Sequence, residues 1–254
     1  MAEISSWIGF WNGNPPIYVS DRHKVVHYRA IAADIARHIP GPDARVLDYG
    51  CGEALSAADL AGRCGQLYLT DAAETVAAGL AHRLAGTPKA TVVPFNALET
   101  AIPAKSIDLA VVNSVAQYMT PEDLASLVSR LRPLLRDDGA ILFADIIPPD
   151  VSALVDARAL LLLAAANGFL VSAFVGLART SLSNYRTLRE RLGLTRYRED
   201  EFATLMARAN FTCRRVTPNL GHNQSRMAFI VTPKQSAVGA LQPARALEQS
   251  HSSE

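Results

Sequence analysis

The stretch ARVLDYGCGEA, from Ala44 to Ala54, decides the fold because it joins a short apolar run to a glycine turn. The letters RVLD read as a buried strand that ends at Asp48, and Gly50, Cys51 and Gly52 follow it. Glycine has no Cβ and accepts positive φ, so a ligand can approach the backbone and meet free N–H groups at the next helix start. In an open parallel sheet, ligands bind at this carboxyl edge of the strands. The stretch therefore predicts an α/β protein with a ligand site at the turn.

A second acid follows at a spacing that indicates an adenosine-containing ligand. Gln66 to Thr70 reads as a short strand, and Asp71 ends it 23 residues beyond Asp48. An acid about 20 residues after a glycine turn is placed to accept hydrogen bonds from ribose hydroxyls. This spacing serves NAD enzymes and methyltransferases alike. The alternative is that Asp71 only caps the helix that starts near Ala73.

The chain resembles the class I S-adenosylmethionine-dependent methyltransferases, of the small-molecule or lipid type (type 11/12-like). Their first motif ends a strand with an acid and continues glycine-x-glycine, which Asp48, Gly50 and Gly52 match, whereas Ala54 replaces the usual third glycine. LRPLLRDDGAILFADI resembles the family's stretch between the fourth and fifth strands. The resemblance implies S-adenosylmethionine as cofactor. It also implies a Rossmann-like, doubly wound sheet of seven strands with an antiparallel last strand and a helical insertion after strand 5.

The resemblance also implies the cofactor-binding residues. The methionine end is expected near Asp48 and the glycine turn, the ribose near Asp71 and Ala72, the adenine near Asn96 and Ala97, and the methyl group near Asn113. Asn96 departs from the family pattern, which often has an acid there, but its side-chain oxygen can accept the same bond. The full predicted set is Asp48, Gly50, Cys51, Gly52, Asp71, Ala72, Asn96, Ala97 and Asn113.

A helix predicted from Val25 to Ile39 precedes the first strand, and the family often covers the cofactor with such a helix. No general base is assigned, but three histidines are candidates because a neutral imidazole is available near pH 7. The alternative is that each is a surface or core residue. No His, Cys, Asp or Glu pair has convincing metal spacing. By the resemblance, residues that could line the site are Tyr18, Arg22, His23, His27 and Tyr28, and the candidate bases are His23, His27 and His222.

The domain organisation is predicted from composition and turn signals. Residues 1–24 form an irregular leader that packs on the domain through its aromatic side chains. Residues 25–232 form the methyltransferase domain, in which 149–198 is a helical lid and substrate insertion. Residues 233–254 are rich in Ser, Gln, Ala and Pro and are predicted to be disordered.

The insertion contains a run of 20 uncharged residues, Ala159 to Ala178, which is long enough to cross a bilayer. Asn167 and Gly168 break it, so two helices that cover the substrate pocket are predicted instead. Six arginines follow it, and they indicate peripheral contact with an anionic membrane, an anionic substrate group or a solvated helix face. They are Arg179, Arg186, Arg189, Arg191, Arg196 and Arg198.

Composition limits the other possibilities. At 254 residues, 49% of them apolar, the chain suits one well-cored domain, and a formal charge of +1 argues against nucleic-acid binding. Three cysteines without metal-like spacing suggest a reduced, cytoplasmic protein. The predicted function is methyl transfer to a small hydrophobic or amphipathic acceptor. The alternatives are an NAD-dependent oxidoreductase, disfavoured because Leu55 replaces the last glycine of its motif, and a catalytically silent binding module.

Overall fold

The computed structural model describes residues 7–13, 17–181 and 193–234, and its strands form one seven-stranded sheet. The strands are β1 (Arg45–Tyr49), β2 (Gln66–Thr70), β3 (Ala90–Val92), β4 (Ile107–Asn113), β5 (Leu135–Ile146), β6 (Phe211–Val216) and β7 (Met227–Pro233). Their order is β3-β2-β1-β4-β5-β7-β6. Strands β1 to β5 pair in parallel, whereas β7 is antiparallel to both neighbours. The predicted doubly wound sheet is confirmed.

Helices lie on both faces of this sheet and around its carboxyl edge. In the described residues they are α1 (Trp7–Asn12), α2 (Asp21–Ala36), α3 (Ala57–Ala61), α4 (Glu74–Arg83), α5 (Leu98–Ala101), a 3₁₀ turn (Ala116–Tyr118), α6 (Pro121–Leu131), α7 (Ala153–Asn167), α8 (Leu170–Ser181) and α9 (Glu199–Arg208).

Alternation along the strands produces two hydrophobic cores. Leu109 and Val111 of β4 face one core together with Leu60 of α3, while Ala110 and Val112 face the other with side chains of α6 and α9. Successive strand residues point to opposite faces, so a strand that is apolar at every position is buried on both sides. The apolar runs in the sequence therefore correspond to the central strands of a three-layer domain.

The strand order brings distant loops together at the carboxyl edge of the sheet. The order reverses between β1 and β4, which leaves a crevice at the ends of these two adjacent strands. Because β6 runs parallel to β1 and β7 returns against it, the loop from Thr217 to Arg226 lies at this edge too. The glycine turn, Asp71, the end of β4 and this late loop thus surround one space.

In the sequence, Thr120-Pro121-Glu122-Asp123 predicts a helix start with Thr120 as the N-cap, and the helix is predicted to end near Leu135. The start of α6 agrees with this prediction. Thr120 accepts a hydrogen bond from the N–H of Asp123, and the Asp123 carboxylate accepts one from the N–H of Thr120, with Pro121 at the first helical position. This reciprocal arrangement satisfies two N–H groups at the helix start. The helix ends at Leu131 instead of near Leu135, where the sequence analysis placed its end.

Three local predictions were wrong. The leader is not irregular throughout, since α1 lies within it, and α2 begins at Asp21 because the Ser20 side chain caps it by accepting from the N–H of His23. The sequence predicts a first crossover helix from Leu55 to Cys64, but α3 is shorter. It also predicts that Arg136 to Gly139 turn the chain before a fifth strand from Ala140 to Ile147. These residues are instead an irregularity inside β5, where the register moves from the pair Ile107 and Leu135 to Leu109 and Ala140.

The uncharged run forms two helices, as predicted. Gly168 ends α7 with φ of 71°, a left-handed conformation that favours glycine. No helix in the described ranges is long and apolar enough to cross a membrane. Arg186, Arg189, Arg191 and the predicted tail beyond Lys234 lie outside the described residues.

Candidate active site

A cavity of about 1460 Å³ lies at the carboxyl edge of the sheet. Single drug-sized ligands occupy pockets of about 300–1,000 Å³, so this cavity has room for a cofactor and a second molecule. Most of the predicted site residues lie in its wall. They are Gly50, Cys51, Gly52, Asp71, Ala72, Asn113, His23, His27 and His222.

The glycine turn requires its glycines for both conformation and space. Gly50 and Gly52 have φ of 70° and 60°, and a Cβ on Gly50 would lie 2.5 Å from Val115 Cγ2. A Cβ on Gly52 would lie 2.7 Å from the Tyr28 hydroxyl oxygen. Ala54, which replaces the third glycine, keeps a positive φ of 40°. All three positions of the glycine motif thus keep a positive φ, although the last of them carries a methyl group.

The N–H groups of this turn are already bonded inside the protein. Those of Gly50 and Cys51 donate to the Thr70 carbonyl oxygen at 2.8 and 3.1 Å. The next two donate to side chains: Gly52 to Asp71 Oδ2 at 2.9 Å and Glu53 to the Tyr28 hydroxyl at 3.0 Å. These four N–H groups therefore have partners inside the protein, whereas the sequence-based expectation concerned the N–H groups at the start of the next helix. The turn contributes close approach instead.

Asp71 connects the two ligand-binding segments. One carboxylate oxygen accepts from Gly52 and the other accepts from the N–H of Ala73 at 2.8 Å. Each oxygen retains a lone pair for a further donor. The first residue of α4 is Glu74, with Ala73 as its N-cap, so Asp71 does not have the capping role considered from the sequence.

Burial raises the pKa of the Asp71 carboxyl above its ordinary value, while the two backbone hydrogen bonds oppose this effect. Asp48 lies deeper, below the turn, and also borders a smaller cavity that contacts Asn113. Burial, and then the nearby charge of Asp71, raises the pKa of Asp48 to about 7. Two carboxyl groups with raised pKa values are a common sign of a functional site, and here a cationic ligand would stabilise both ionised forms.

The Oδ1 atom of Asn113, at the end of β4, is buried without a hydrogen-bond partner. Such an acceptor carries a desolvation cost until a ligand or water donates to it. In contrast, Asn96 is exposed and neither it nor Ala97 lines the cavity, whose wall here is Phe95. The geometry gives no support to an adenine contact through these two residues.

The three candidate bases come together in the cavity wall although His222 is far from the others in sequence. The ring centroid of His222 lies 6.4 Å from that of His23 and 6.3 Å from that of His27. His23 also stacks on Phe169, with 5.2 Å between ring centroids. No arrangement of His, Cys, Asp and Glu within the described ranges could hold a metal ion. The three histidine rings therefore lie side by side in the cavity wall.

Burial lowers the pKa of all three rings. Burial, and then the nearby imidazole of His222, lowers the pKa of His23 to about 4. Burial, and then the imidazoles of His222 and His23, lowers the pKa of His27 to about 3. Burial also lowers the pKa of His222; the carboxylate of Asp156 opposes that effect, and the guanidinium of Arg226 adds to it. His222 is therefore the ring of the three whose charged form has a carboxylate favouring it.

We expect His23 and His27 to stay neutral in the folded protein from neutral pH down to about pH 4. In the unfolded chain both bind protons near their ordinary pKa of 6.5. The stability that the neutral rings contribute is thus complete above about pH 6.5 and is lost as pH falls towards 4 and 3. NMR titration of the imidazole nitrogens will test this, with His27→Gln for assignment and denaturant-unfolded protein as reference. Folded-state midpoints near 6.5 would contradict it.

A second polar group in the cavity wall was missed by the sequence analysis. Ser114 directly follows β4, and Asp145 lies near the end of the adjacent strand β5. Both have a positive φ, 58° and 60°, and the Ser114 hydroxyl donates to Asp145 Oδ2 at 2.8 Å. Strained backbone of this kind concentrates at functional sites. Asp145 is an acid at the carboxyl end of a strand, the same signal that identified Asp48, so it could have been found.

Arg226 and Asp156 form a buried ion pair in the same region. Arg226 Nη2 lies 2.8 Å from both carboxylate oxygens of Asp156, and the Asn223 side-chain amide donates to Oδ1 of that carboxylate at 2.9 Å. Arg226 Nε lies 4.0 Å from Asp145 Oδ1. This pair connects α7 to the loop between β6 and β7, two segments that sequence patterns alone do not bring together.

Helix α1 closes the cavity with aromatic side chains. Trp7 and Trp11 contact Tyr118, with ring centroids 4.7 and 6.0 Å apart. Asn12 fixes the end of this helix, since its Oδ1 accepts from the N–H of Thr75 at 3.2 Å. The first turn of α4, which follows Asp71, is therefore covered by α1.

The sequence profile described as "Methyltransferase domain" matches residues 46–139. No curated protein sequence matches the chain. Solved structures share its fold at low identity. Magnesium protoporphyrin IX methyltransferase from Synechocystis PCC 6803 with bound SAH is 16% identical, with a TM-score of 0.56 over 91% of this chain and 97% of that chain.

Two further structures give similar values. The DhpI–SAH complex is 12% identical, with a TM-score of 0.58 over 92% of this chain and 98% of that one. N,N-8-amino-8-demethyl-D-riboflavin dimethyltransferase from Streptomyces davawensis is 17% identical, with a TM-score of 0.55 over 84% and 57%. At these identities the likenesses show the fold, and the profile match identifies a methyltransferase domain over residues 46–139. The chain contains this methyltransferase domain within the seven-stranded sheet that it shares with S-adenosylmethionine-dependent methyltransferases.

Proposed function

We propose that the enzyme transfers a methyl group to a small hydrophobic or amphipathic acceptor, lipids included. The observation that carries this proposal is the cavity beyond the glycine turn, which is too large for the cofactor alone. Its wall away from Asp71 is mainly apolar. The apolar residues there are Ile17, Val19, Leu160, Val171, Val175 and Leu220.

For the cofactor we propose the methionine end beside Asp48, Gly50, Cys51 and Gly52, and the ribose at Asp71 and Ala72. The space that the missing glycine side chains leave, together with the free lone pairs of the Asp71 carboxylate, supports this fit. The unpaired Oδ1 of Asn113 supports a position near the transferred group. Asn96 and Ala97 are left out of the proposed set, and Phe95 replaces them beside the adenine.

When bound, the cofactor supplies a methyl group activated by a positively charged sulfur. The protein's contribution is then alignment of the acceptor, exclusion of water and removal of a proton where the acceptor carries one. Buried Asp48 and Asp71 place negative charge near the cationic ligand. The aromatic side chains of α1 cover the cavity and limit the access of water.

We propose His222 as the proton acceptor for a hydroxyl or amine nucleophile. It lines the cavity beside His23 and His27, and it is the ring of the three with a carboxylate, Asp156, that favours its protonated form against the opposing charge of Arg226. An imidazole nitrogen of His222 would hold the proton that a hydroxyl or amine acceptor releases. His23 and His27, whose pKa values lie further below neutrality, serve better as ring walls than as bases.

We further propose that α7 and α8 form the lid of the acceptor half within a domain of residues 25–232. The three cysteines are unpaired, and Cys51 and Cys64 are buried, which supports action in a reducing, cytoplasmic compartment.

A transfer assay with isotope-labelled S-adenosylmethionine tests the acceptor class. The panel contains apolar and amphipathic alcohols, phenols, amines and acids, each beside a polar analogue of similar size. We expect labelled product from apolar members. The His222→Gln variant should lose turnover with hydroxyl acceptors while keeping cofactor affinity, and the exposed His82 provides the matched control variant His82→Gln. Product from polar members alone would contradict the proposal.

A further inference from the structure

The α7–α8 hairpin has an outer surface that is apolar to an unusual degree. Nine large apolar side chains are exposed among the described residues, and seven of them lie on these two helices. Leu154 and Val171 are 80% and 79% exposed. Concentrated exposed apolar surface marks an interaction site, whereas single exposed residues do not. The seven are Leu154, Val155, Leu162, Leu170, Val171, Phe174 and Val175.

Helix α8 leaves its large apolar residues exposed and buries a small one. Val171, Phe174 and Val175 recur at positions i, i+3 and i+4, and all are exposed. Val171 and Val175 also line the cavity, whereas Phe174 does not. Ala173 is buried and Gly176 is half-buried, and a Cβ on Gly176 would overlap Val19. A helix that only covers a core turns its large apolar stripe inward, so the exposed stripe of α8 indicates that it packs against something else.

The exposed charges on the two helices themselves are basic, and Asp150, ahead of α7, is an exposed acid next to them. Arg158 of α7 and Arg179 of α8 are exposed, and a Cβ on Gly168, at the connection, would lie 3.6 Å from Arg22 Nη2. The one acid of the two helices, Asp156, is bound to Arg226 instead. An apolar stripe with a basic rim fits an anionic lipid surface. A second copy of the same face would present basic charge to basic charge, which disfavours self-association.

The same surface is continuous with the mouth of the cavity. Val171 and Val175 are exposed on α8 and also line the cavity, as does exposed Ile8 of α1. We propose that the α7–α8 face docks on an anionic membrane surface, so that an amphipathic acceptor enters the cavity directly from the lipid. The docking stands on the exposed surface alone, and the route of the acceptor rests on the proposed function.

Sedimentation of the full chain with vesicles tests the docking. Vesicles of phosphatidylcholine mixed with phosphatidylserine should bind the protein, and vesicles of phosphatidylcholine alone should bind it weakly. Phe174→Asp and Leu162→Asp should each lower vesicle affinity about tenfold or more, because charge cannot enter the apolar boundary. Arg158→Gln should lower it about fivefold. The matched control is Val25→Asp, at an exposed apolar position on α2, which should bind as the wild type does.

Failure to bind either vesicle, or equal binding by Phe174→Asp and the wild type, would overturn the docking. Titration of the same preparations with S-adenosylmethionine verifies that the variants are folded. Vesicle binding without cofactor binding would contradict the proposed function and support the docking. Cofactor binding without vesicle binding would support the proposed function and overturn the docking. A wild-type dimer that Phe174→Asp converts to a monomer, without vesicle binding, would assign the face to a second copy and overturn the proposal.

Discussion

Replacement of Asp71 by alanine is expected to lower the affinity for S-adenosylmethionine about 100-fold. The carboxylate holds the N–H groups of Gly52 and Ala73 and is proposed to accept from the ribose hydroxyls. Loss of two hydrogen bonds to a charged group costs about 3 kcal/mol, which is about two orders of magnitude in Kd. Calorimetric titration with S-adenosylmethionine and S-adenosylhomocysteine measures the change directly, with NAD as a negative control.

Two control variants separate a lost ligand contact from a disturbed turn. Asp71→Asn keeps one acceptor oxygen and should fall between the wild type and Asp71→Ala. Asp138→Ala removes the same charge at a position that is 80% exposed in β5, and it should leave cofactor affinity unchanged. An Asp71→Ala protein that is folded and binds the cofactor as tightly as the wild type would exclude a role for this carboxylate in the ribose site.

Asp156→Ala should produce the largest loss of stability, about 3 kcal/mol in the free energy of unfolding. The Arg226 side chain is 8% exposed, so removing Asp156 leaves a buried charge whose remaining carboxylate is the more distant Asp145, with its Oδ1 4.0 Å from Arg226 Nε. The variant also loses the hydrogen bond from Asn223 that ties α7 to the late loop. For a chain of this size the loss corresponds to a decrease in Tm of about 6 to 12 °C.

A double variant distinguishes the unpaired charge from a general packing defect. Asp156→Leu combined with Arg226→Met should recover part of the lost stability, because apolar side chains of similar volume often replace a buried ion pair without cost. The recovery is partial because Asp145 loses the guanidinium 4.0 Å from its Oδ1. Asp150→Ala, at the exposed acid ahead of α7, should change stability little. Equal losses in the single and the double variant would mean that the ion pair is not the source of the effect.

The central sheet was predictable because its signals are local. Strand β2 was predicted with both of its ends, and the Thr120 cap and the Gly168 break were each identified from residue type and spacing. Helix starts were predicted less accurately where a polar capping residue precedes the first apolar residues of the helical pattern. Because Ser20 caps α2, the helix begins at Asp21, four residues before Val25, where it was predicted to start. Apolar periodicity gives no information about such a residue.

The acceptor half of the site could be predicted only in part, because its residues meet through tertiary structure. His222 was chosen for its residue type, but its proximity to His23 follows from the antiparallel return of β7. Arg226 and Asp156 are 70 residues apart, and no local pattern links them. Asn96 was placed by family position, and a neighbouring residue, Phe95, faces the cavity instead.

Gly176 makes the size of the acceptor space depend on one position of the chain. Since Val19 occupies the place where a side chain would begin, any larger residue at 176 would move α8 away from the leader, and Gly176 itself lines the cavity. Enlargement of Val19 would have a similar effect from the opposite side. Acceptor choice could therefore be altered by changing the spacing of two surfaces, without altering the cofactor half or the histidines. Gly176 and Val19 form a natural pair for engineering the enzyme towards bulkier substrates.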